Sequence, residues 1–251
     1  MRMFKFPLKI QPLALEPARL PRHIAFIMDG NGRWAKRRGL ARSVGHAEGS
    51  RQLKEVVKDC YNLHIRYVSV YAFSSENWKR PKEEVDQLMK LLLEYLRGAI
   101  ADLENRKVRI RVLGSREGLS REILRENDHV ESETAAHQEM DFLICINYGG
   151  RQELVQAARR IAAEAAAGTL KPEDVDEACI ADRLYTAGIP DPDLLIRTSG
   201  EQRLSNFMPW QTAYTEFLFP DVLWPDFRER HLREALNAYV GRNRRFGGVT
   251  E

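Results

Sequence analysis

Cysteine is scarce and unpatterned in this sequence. Of 251 residues only Cys60, Cys145 and Cys179 are cysteines, an odd number with no C-x-x-C spacing. That excludes a disulfide framework and a cysteine zinc site, and it fits a reducing cytoplasm. Long apolar runs are missing too: compact ones such as Phe142–Ile146 fall far short of the ~20 residues a spanning helix needs. One-signed charge is small, with 39 Lys+Arg against 36 Asp+Glu for a net +3. Such a balance points away from nucleic acid as a partner. Internal repeats and Gly/Pro/Ser-rich linkers are absent, so one domain is expected. Residues 1–20 carry Arg2, Lys5 and Lys9 but are broken by Pro7, Pro12 and Pro17. They make a poor signal peptide and a poor amphipathic helix. A loose N-terminal extension before a domain over 21–251 is expected, with a membrane-surface contact as the other reading.

What is present alternates. Strand-like runs over 23–28, 67–73, 108–113, 141–148, 194–197 and 216–219 are separated by helical patterns. Those patterns span 46–63, 81–105, 119–137, 151–167, 172–185 and 226–244. Continuous apolar strands between helices imply an α/β fold, a mostly parallel central sheet flanked by helices. Such sheets bind ligands beyond the carboxyl ends of their strands. The residues there are polar or glycine-rich: Asp29-Gly-Asn-Gly-Arg33, Ser74-Ser-Glu-Asn-Trp78, Asn147-Tyr-Gly-Gly150 and Arg197-Thr-Ser-Gly200.

Gly30-x-Gly32-x-x-Ala35 fits a dinucleotide fingerprint. That motif also needs an acidic residue about 20 positions on at a second strand end. Glu48 and Glu55 fall in a helical pattern instead, which demotes a nicotinamide oxidoreductase. A phosphate cradle remains, with Arg33 and Arg42 as added donors. Asp29 repels phosphate unless a cation lies between, so either it holds Mg²⁺ or it caps a helix. Arg197, Arg203 and Ser205 form a second anion-binding set suited to a diphosphate. The pattern over Val85–Leu103 is apolar nearly all round. That fits core, a subunit interface or a greasy cavity.

Seven segments together resemble the cis-prenyltransferases: HIAFIMDGNGRWA (23–35), GH (45–46), YAFSSENWKRP (71–81), NYGGR (147–151), RTSGEQRLSNF (197–207), WQTAYTE (210–216) and LWPDF (223–227). The D-D-x-x-D motif of the trans-type prenyl synthases is absent. The resemblance implies a hydrophobic tunnel and a homodimer. It also implies Mg²⁺-dependent condensation of isopentenyl diphosphate with an allylic diphosphate, usually farnesyl diphosphate. The product would be a long cis-polyprenyl diphosphate, the undecaprenyl precursor for cell-wall synthesis. A cytoplasmic enzyme with peripheral membrane contact is expected; a non-catalytic partner subunit is the alternative.

By the same resemblance, Asp29 organises Mg²⁺, with Glu216 as a second ligand. Gly30, Asn31, Gly32 and Arg33 cradle the allylic diphosphate beside Arg42 and His46. Trp34, Ser74, Ser75, Glu76, Trp78 and Arg80 shape the gap between substrates. Arg197, Arg203, Leu204 and Ser205 hold isopentenyl diphosphate. Asn77 is cast as the catalytic proton acceptor, a weak base for that task. Gln202 departs from relatives that carry His near the metal. Ala72 is expected in the tunnel wall.

Overall fold

The computed structural model describes residues 17–103 and 106–242. The expected loose extension therefore lies outside the described residues up to position 16. Pro17–Arg19 form a 3-10 turn, and Arg19 Nη2 donates to the Val240 carbonyl at 3.0 Å. The chain then runs β1 (His23–Ile27), α1 (Asn31–Arg37), α2 (Arg42–Asn62), β2 (Tyr67–Ser74) and α3 (Lys82–Asp102). It continues through β3 (Val108–Leu113), α4 (Arg121–Thr134), β4 (Met140–Tyr148), α5 (Gly150–Ala166) and α6 (Glu177–Ala181). β5 (Leu194–Arg197), β6 (Glu216–Leu218) and α7 (Glu229–Val240) complete it.

The six strands form one sheet in the order β3-β4-β2-β1-β5-β6, and every pairing is parallel. All nine residues of β4 are buried, as a strand covered on both faces must be. Side chains alternate between two cores. Ile24, Phe26, Val68, Val70 and Ile144 face a large core built with α2, α3, α4 and α7. Ala25, Ile27, Leu143 and Leu195 face a smaller one. That second core is closed by Phe207 and Met208, from a loop rather than a helix.

Three expectations differ in detail. α2 begins at Arg42, four residues before the expected start, and carries Gly45 inside its first turn, where the helix packs against Asn31. The helix expected over 172–185 is only a 3-10 turn and the short α6, capped by Asp176 at the Cys179 amide. α7 spans 229–240 because Pro225 closes a 3-10 turn first, and residues 243–251 lie outside the described set.

One buried polar group ties strand to strand. His23, 1% exposed, contacts Ser69 Oγ and the Pro190 carbonyl, each at 2.7 Å. Burial pulls its pKa from 6.5 down to about 4, against the opposing pull of Pro190 and Asp193. The unfolded chain thus binds the proton first. His23 stabilises the fold above pH 6.5, and that contribution drains away as pH falls toward 4. At about 1.4 kcal/mol per unit the full loss is ~3 kcal/mol. Urea denaturation of the protein and of His23→Gln across pH 4–7 tests this. The gap between them should shrink by about that amount on acidification; a constant gap contradicts it.

Candidate active site

The site is built where β1, β2 and β5 end. After β1 the chain turns sharply at Gly30, whose φ is +107°. A Cβ there would also lie 2.9 Å from the Leu223 side chain, so glycine is required twice over. α2 then packs directly on the turn. A Cβ on Gly45 would lie 2.2 Å from the Asn31 carbonyl oxygen, and one on Gly49 2.5 Å from its Oδ1. These two glycines, one helical turn apart, let α2 press the Asp29–Arg33 loop into place.

Asp29 sits at the centre. Its backbone is clamped by Thr198, whose hydroxyl accepts from the Asp29 amide at 3.0 Å and donates to its carbonyl at 2.6 Å. Its carboxylate receives Arg197 Nη2 at 2.8 Å and Arg33 Nη2 at 3.2 Å. Asp29 is thus no helix cap; Gly30 holds the N-cap position of α1. Burial opposes its ionisation, but Arg197 and then Arg33 outweigh burial and hold the carboxyl below its ordinary range. Arg197, 3% exposed, also donates to Ser205 Oγ at 2.8 Å and to the Arg203 carbonyl. Glu201 joins both halves, pairing with Arg33 and with Arg203.

Two polar clefts meet at Asp29. One, of about 680 Å³, is lined by Asp29, Asn31, His46, Ser74, Glu76, Asn77, Arg80, Arg197, Arg203 and Ser205. The other, of about 630 Å³, is lined by Asp29, Gly30, Asn31, Gly32, Arg33, Arg42, His46 and Arg80. An apolar crevice of about 100 Å³ opens from the same junction. Met28, Leu53, Ala72, Leu88, Leu92 and Ile144 line it, with Asn31 and His46 at its polar end. His46 borders all three spaces, and its buried Nε2 has no partner among the described residues. Burial, then the charges of Arg42 and Arg80, lower its pKa to about 4, so the ring is neutral at pH 7.

Five of the residues anticipated from sequence lie apart from these spaces. Trp34 turns away, donating its indole N–H to Asp226 at 2.8 Å under the Arg38 guanidinium. Ser75 lies against Gly149, where a Cβ would come within 2.3 Å of its hydroxyl. Trp78 donates to Asn147 Oδ1 at 2.8 Å and stands edge-on to Phe73. Leu204 packs against the smaller core. Glu216 is the clearest departure from expectation. It pairs in register with Leu194, at the amino end of β5, and its carboxylate is bound by Arg242. Asp29 lies beyond the other end, where Ile27 pairs with Arg197. Three residues of strand separate the two levels, about 10 Å. This chain therefore does not bring Glu216 to Asp29. Asn77 lines the first cleft, but its Oδ1 accepts the Ser74 amide at 3.1 Å and caps the 3-10 turn Ser75–Lys79.

The structure also supplies residues that the loops' polarity did not single out. Asn206 donates to Glu76 at 2.7 Å and accepts the Arg151 amide at 2.9 Å, which binds the 197–208 loop to the 3-10 turn after β2 and to α5. Ser199, Ser205, Asn206 and Met208 all have positive φ, backbone strain that the surrounding contacts hold. Glu153 is fully buried and anchors the segment that follows this loop by accepting from Gln211 at 3.1 Å.

A family described as putative undecaprenyl diphosphate synthase matches residues 27–247. The chain belongs to the isoprenyl transferase family. An isoprenyl transferase of Rhizobium meliloti is 50% identical over 235 residues, 94% of this chain and 95% of that protein. One of Bacillus subtilis is 49% identical over 230 residues, 92% and 88% of the two chains. Among solved structures, lavandulyl diphosphate synthase from Lavandula x intermedia in complex with dimethylallyl diphosphate superposes with a TM-score of 0.89. It is 38% identical and covers 92% of this chain and 99% of its own. A probable undecaprenyl diphosphate synthase from Campylobacter jejuni gives 0.75 at 30% identity, covering 90% and 98%. This prenyltransferase thus shares its parallel sheet with enzymes of prenyl diphosphate synthesis.

Proposed function

We propose that this prenyltransferase condenses isopentenyl diphosphate repeatedly onto an allylic diphosphate, farnesyl diphosphate first, to give a long cis-polyprenyl diphosphate. The observation that carries this is the meeting of two arginine-lined clefts and one apolar crevice at Asp29. Two anionic substrates need two cation-lined sites, and a growing hydrocarbon needs an apolar one. In this reading Arg33, Arg42 and Arg80 hold the allylic diphosphate beside Gly30–Gly32. Arg197, Arg203 and Ser205 hold isopentenyl diphosphate. The allylic carbon–oxygen bond breaks, the terminal alkene carbon of isopentenyl diphosphate bonds to that carbon, and a C2 proton leaves. The arginines stabilise the charge that collects on the departing diphosphate. Neutral His46 and the diphosphate oxygens are the bases at hand. Asn77, a carboxamide with its oxygen already engaged, orients groups rather than taking the proton.

Asp29 fits a magnesium role. Among the described residues no cluster of three metal-ligating side chains exists. Mg²⁺ is commonly held by one or two carboxylates plus substrate phosphates, so one ionised carboxylate between two diphosphate clefts suffices. When bound, Mg²⁺ would act as a Lewis acid on the leaving diphosphate. We place the enzyme in the cytoplasm, touching the membrane only peripherally to deliver a lipid-carrier precursor for the cell wall. No helix among the described residues is long and apolar enough to cross a membrane. A homodimer with the segment 210–227 near its interface completes the proposal.

Incubation with farnesyl and isopentenyl diphosphates plus Mg²⁺, with product chromatography, tests the reading. A ladder of products five carbons apart is expected, and none with chelator. Each added unit buries more tail at roughly 0.8 kcal/mol per CH₂, so affinity climbs until the crevice is full. Ala72 lies on the crevice wall beside Ile144 and Leu88. Ala72→Leu should therefore shorten the product by several units with the melting point little changed. Unchanged length with a lowered melting point would make Ala72 ordinary core, where overpacking costs ~1–3 kcal/mol.

A further inference from the structure

The apolar crevice is too small for its proposed occupant. At about 100 Å³, against about 680 Å³ for the cleft it adjoins, it is the narrowest of the three spaces, and a farnesyl tail needs more room than it offers. One wall must yield. β2 and β4 lie inside the sheet, paired on both sides. α2 is held by Gly45 and Gly49 against Asn31, and Trp224 Nε1 donates to the Gly49 carbonyl at 2.8 Å. The remaining wall is α3, which presents Leu88, Leu91, Leu92 and Tyr95.

At its far end α3 is anchored. Lys54 of α2 meets Asp102 at 2.6 Å, and Leu96 and Ala99 are buried. At its near end the tie is Glu84. One carboxylate oxygen meets Arg80 Nη1 at 2.8 Å, and the other meets Arg42 Nη1, on the first turn of α2, at 3.3 Å. Arg42 in turn lies over Gly32, where a Cβ would sit 3.1 Å from its Nε. Both arginines line the cleft assigned to the allylic diphosphate. Leu88 follows Glu84 by four residues, so the two share a helix face, and Leu88 borders the crevice and the neighbouring cleft assigned to isopentenyl diphosphate, which Arg80 also lines.

We propose that Glu84 is a stand-in anion: its carboxylate holds Arg42 and Arg80 while the site is empty. The incoming allylic diphosphate takes those arginines, frees the first turn of α3, and lets Leu88 swing aside to admit the tail. Glu84 is thereby a positioning residue that makes headgroup binding and tail binding cooperative. The inference rests on the function proposed above. It predicts a reciprocal coupling: inorganic pyrophosphate must tighten binding of an uncharged tail, and the tail must tighten pyrophosphate by the same factor.

The test titrates the whole protein with farnesol, with and without saturating magnesium pyrophosphate. In the unaltered protein pyrophosphate should tighten farnesol binding about fivefold or more. In Glu84→Gln farnesol should bind tightly without pyrophosphate, and the coupling should fall to near one. Pyrophosphate itself should bind Glu84→Gln about two- to tenfold tighter, since two partly exposed ion pairs no longer compete. Glu84→Asp should retain part of the coupling. Absence of coupling in the unaltered protein, coupling unchanged in Glu84→Gln, or weaker pyrophosphate binding in that variant would each overturn the stand-in role. A protein that makes product from the two substrates yet shows no coupling loses only the Glu84 inference. One that neither binds pyrophosphate nor makes product loses the proposed function with it.

Discussion

Asp29→Ala should lower kcat at least about 100-fold while the protein stays folded. Removing a single group that stabilises developing charge typically costs about 10²–10³ in rate. Asp29 is expected to reach at least that range, because one carboxylate serves three duties. It fixes Arg197, it fixes Arg33, and it is the only acidic group we assign to magnesium. Folding should survive, since the loop backbone is held independently by Thr198 and by the close approach of α2. Asp29→Asn separates the duties. It keeps an oxygen for the arginines but loses the charge, so its activity should stay low and need far more Mg²⁺. Steady-state kinetics over a magnesium titration, beside a melting curve, read both. Near-normal turnover in Asp29→Asn would reduce Asp29 to an arginine holder.

Arg197→Ala should raise the KM for isopentenyl diphosphate by about 10–150-fold, the worth of one charge-assisted contact of roughly 1.5–3 kcal/mol. It should also depress kcat, whereas Arg203→Ala should act mainly on KM. The difference follows from position. Arg197 is nearly fully buried and reaches Asp29, Ser205 and the Arg203 carbonyl at once. Arg203 is more than half exposed and pairs only with Glu201 among the side chains shown. Initial rates with each substrate varied in turn distinguish them. A rise confined to the allylic KM in both variants would exchange the two clefts.

Much of this was legible in the residues. β3 and β5 fall where the apolar runs put them, since a short run bounded by glycine or proline leaves little freedom. The sharp turn after β1 was readable because Asp-Gly-Asn-Gly directly after a buried strand has few other uses. The helix expected over 172–185 failed because Asp176 caps a new start and splits a run that reads as continuous. The distance of Glu216 from Asp29 was not legible for a different reason. Its place depends on strand register, and in a three-residue edge strand nothing local shows which end meets the site. Trp34 and Trp78 looked like substrate contacts, yet each spends its indole N–H on a side chain elsewhere in the fold. Glu84 was invisible as a partner of Arg42, because their contact joins the first turns of two helices 42 positions apart.

The most direct measurement is calorimetric titration of isopentenyl diphosphate into the protein already saturated with Mg²⁺ and a non-reactive thiolo analogue of farnesyl diphosphate. Two clefts meeting at Asp29 require both ligands to bind together, one of each per chain. Arg203→Ala should then weaken only isopentenyl diphosphate, and Arg42→Ala only the farnesyl analogue. Mutual exclusion of the two ligands, or equal weakening of both by each variant, would contradict the two-cleft assignment.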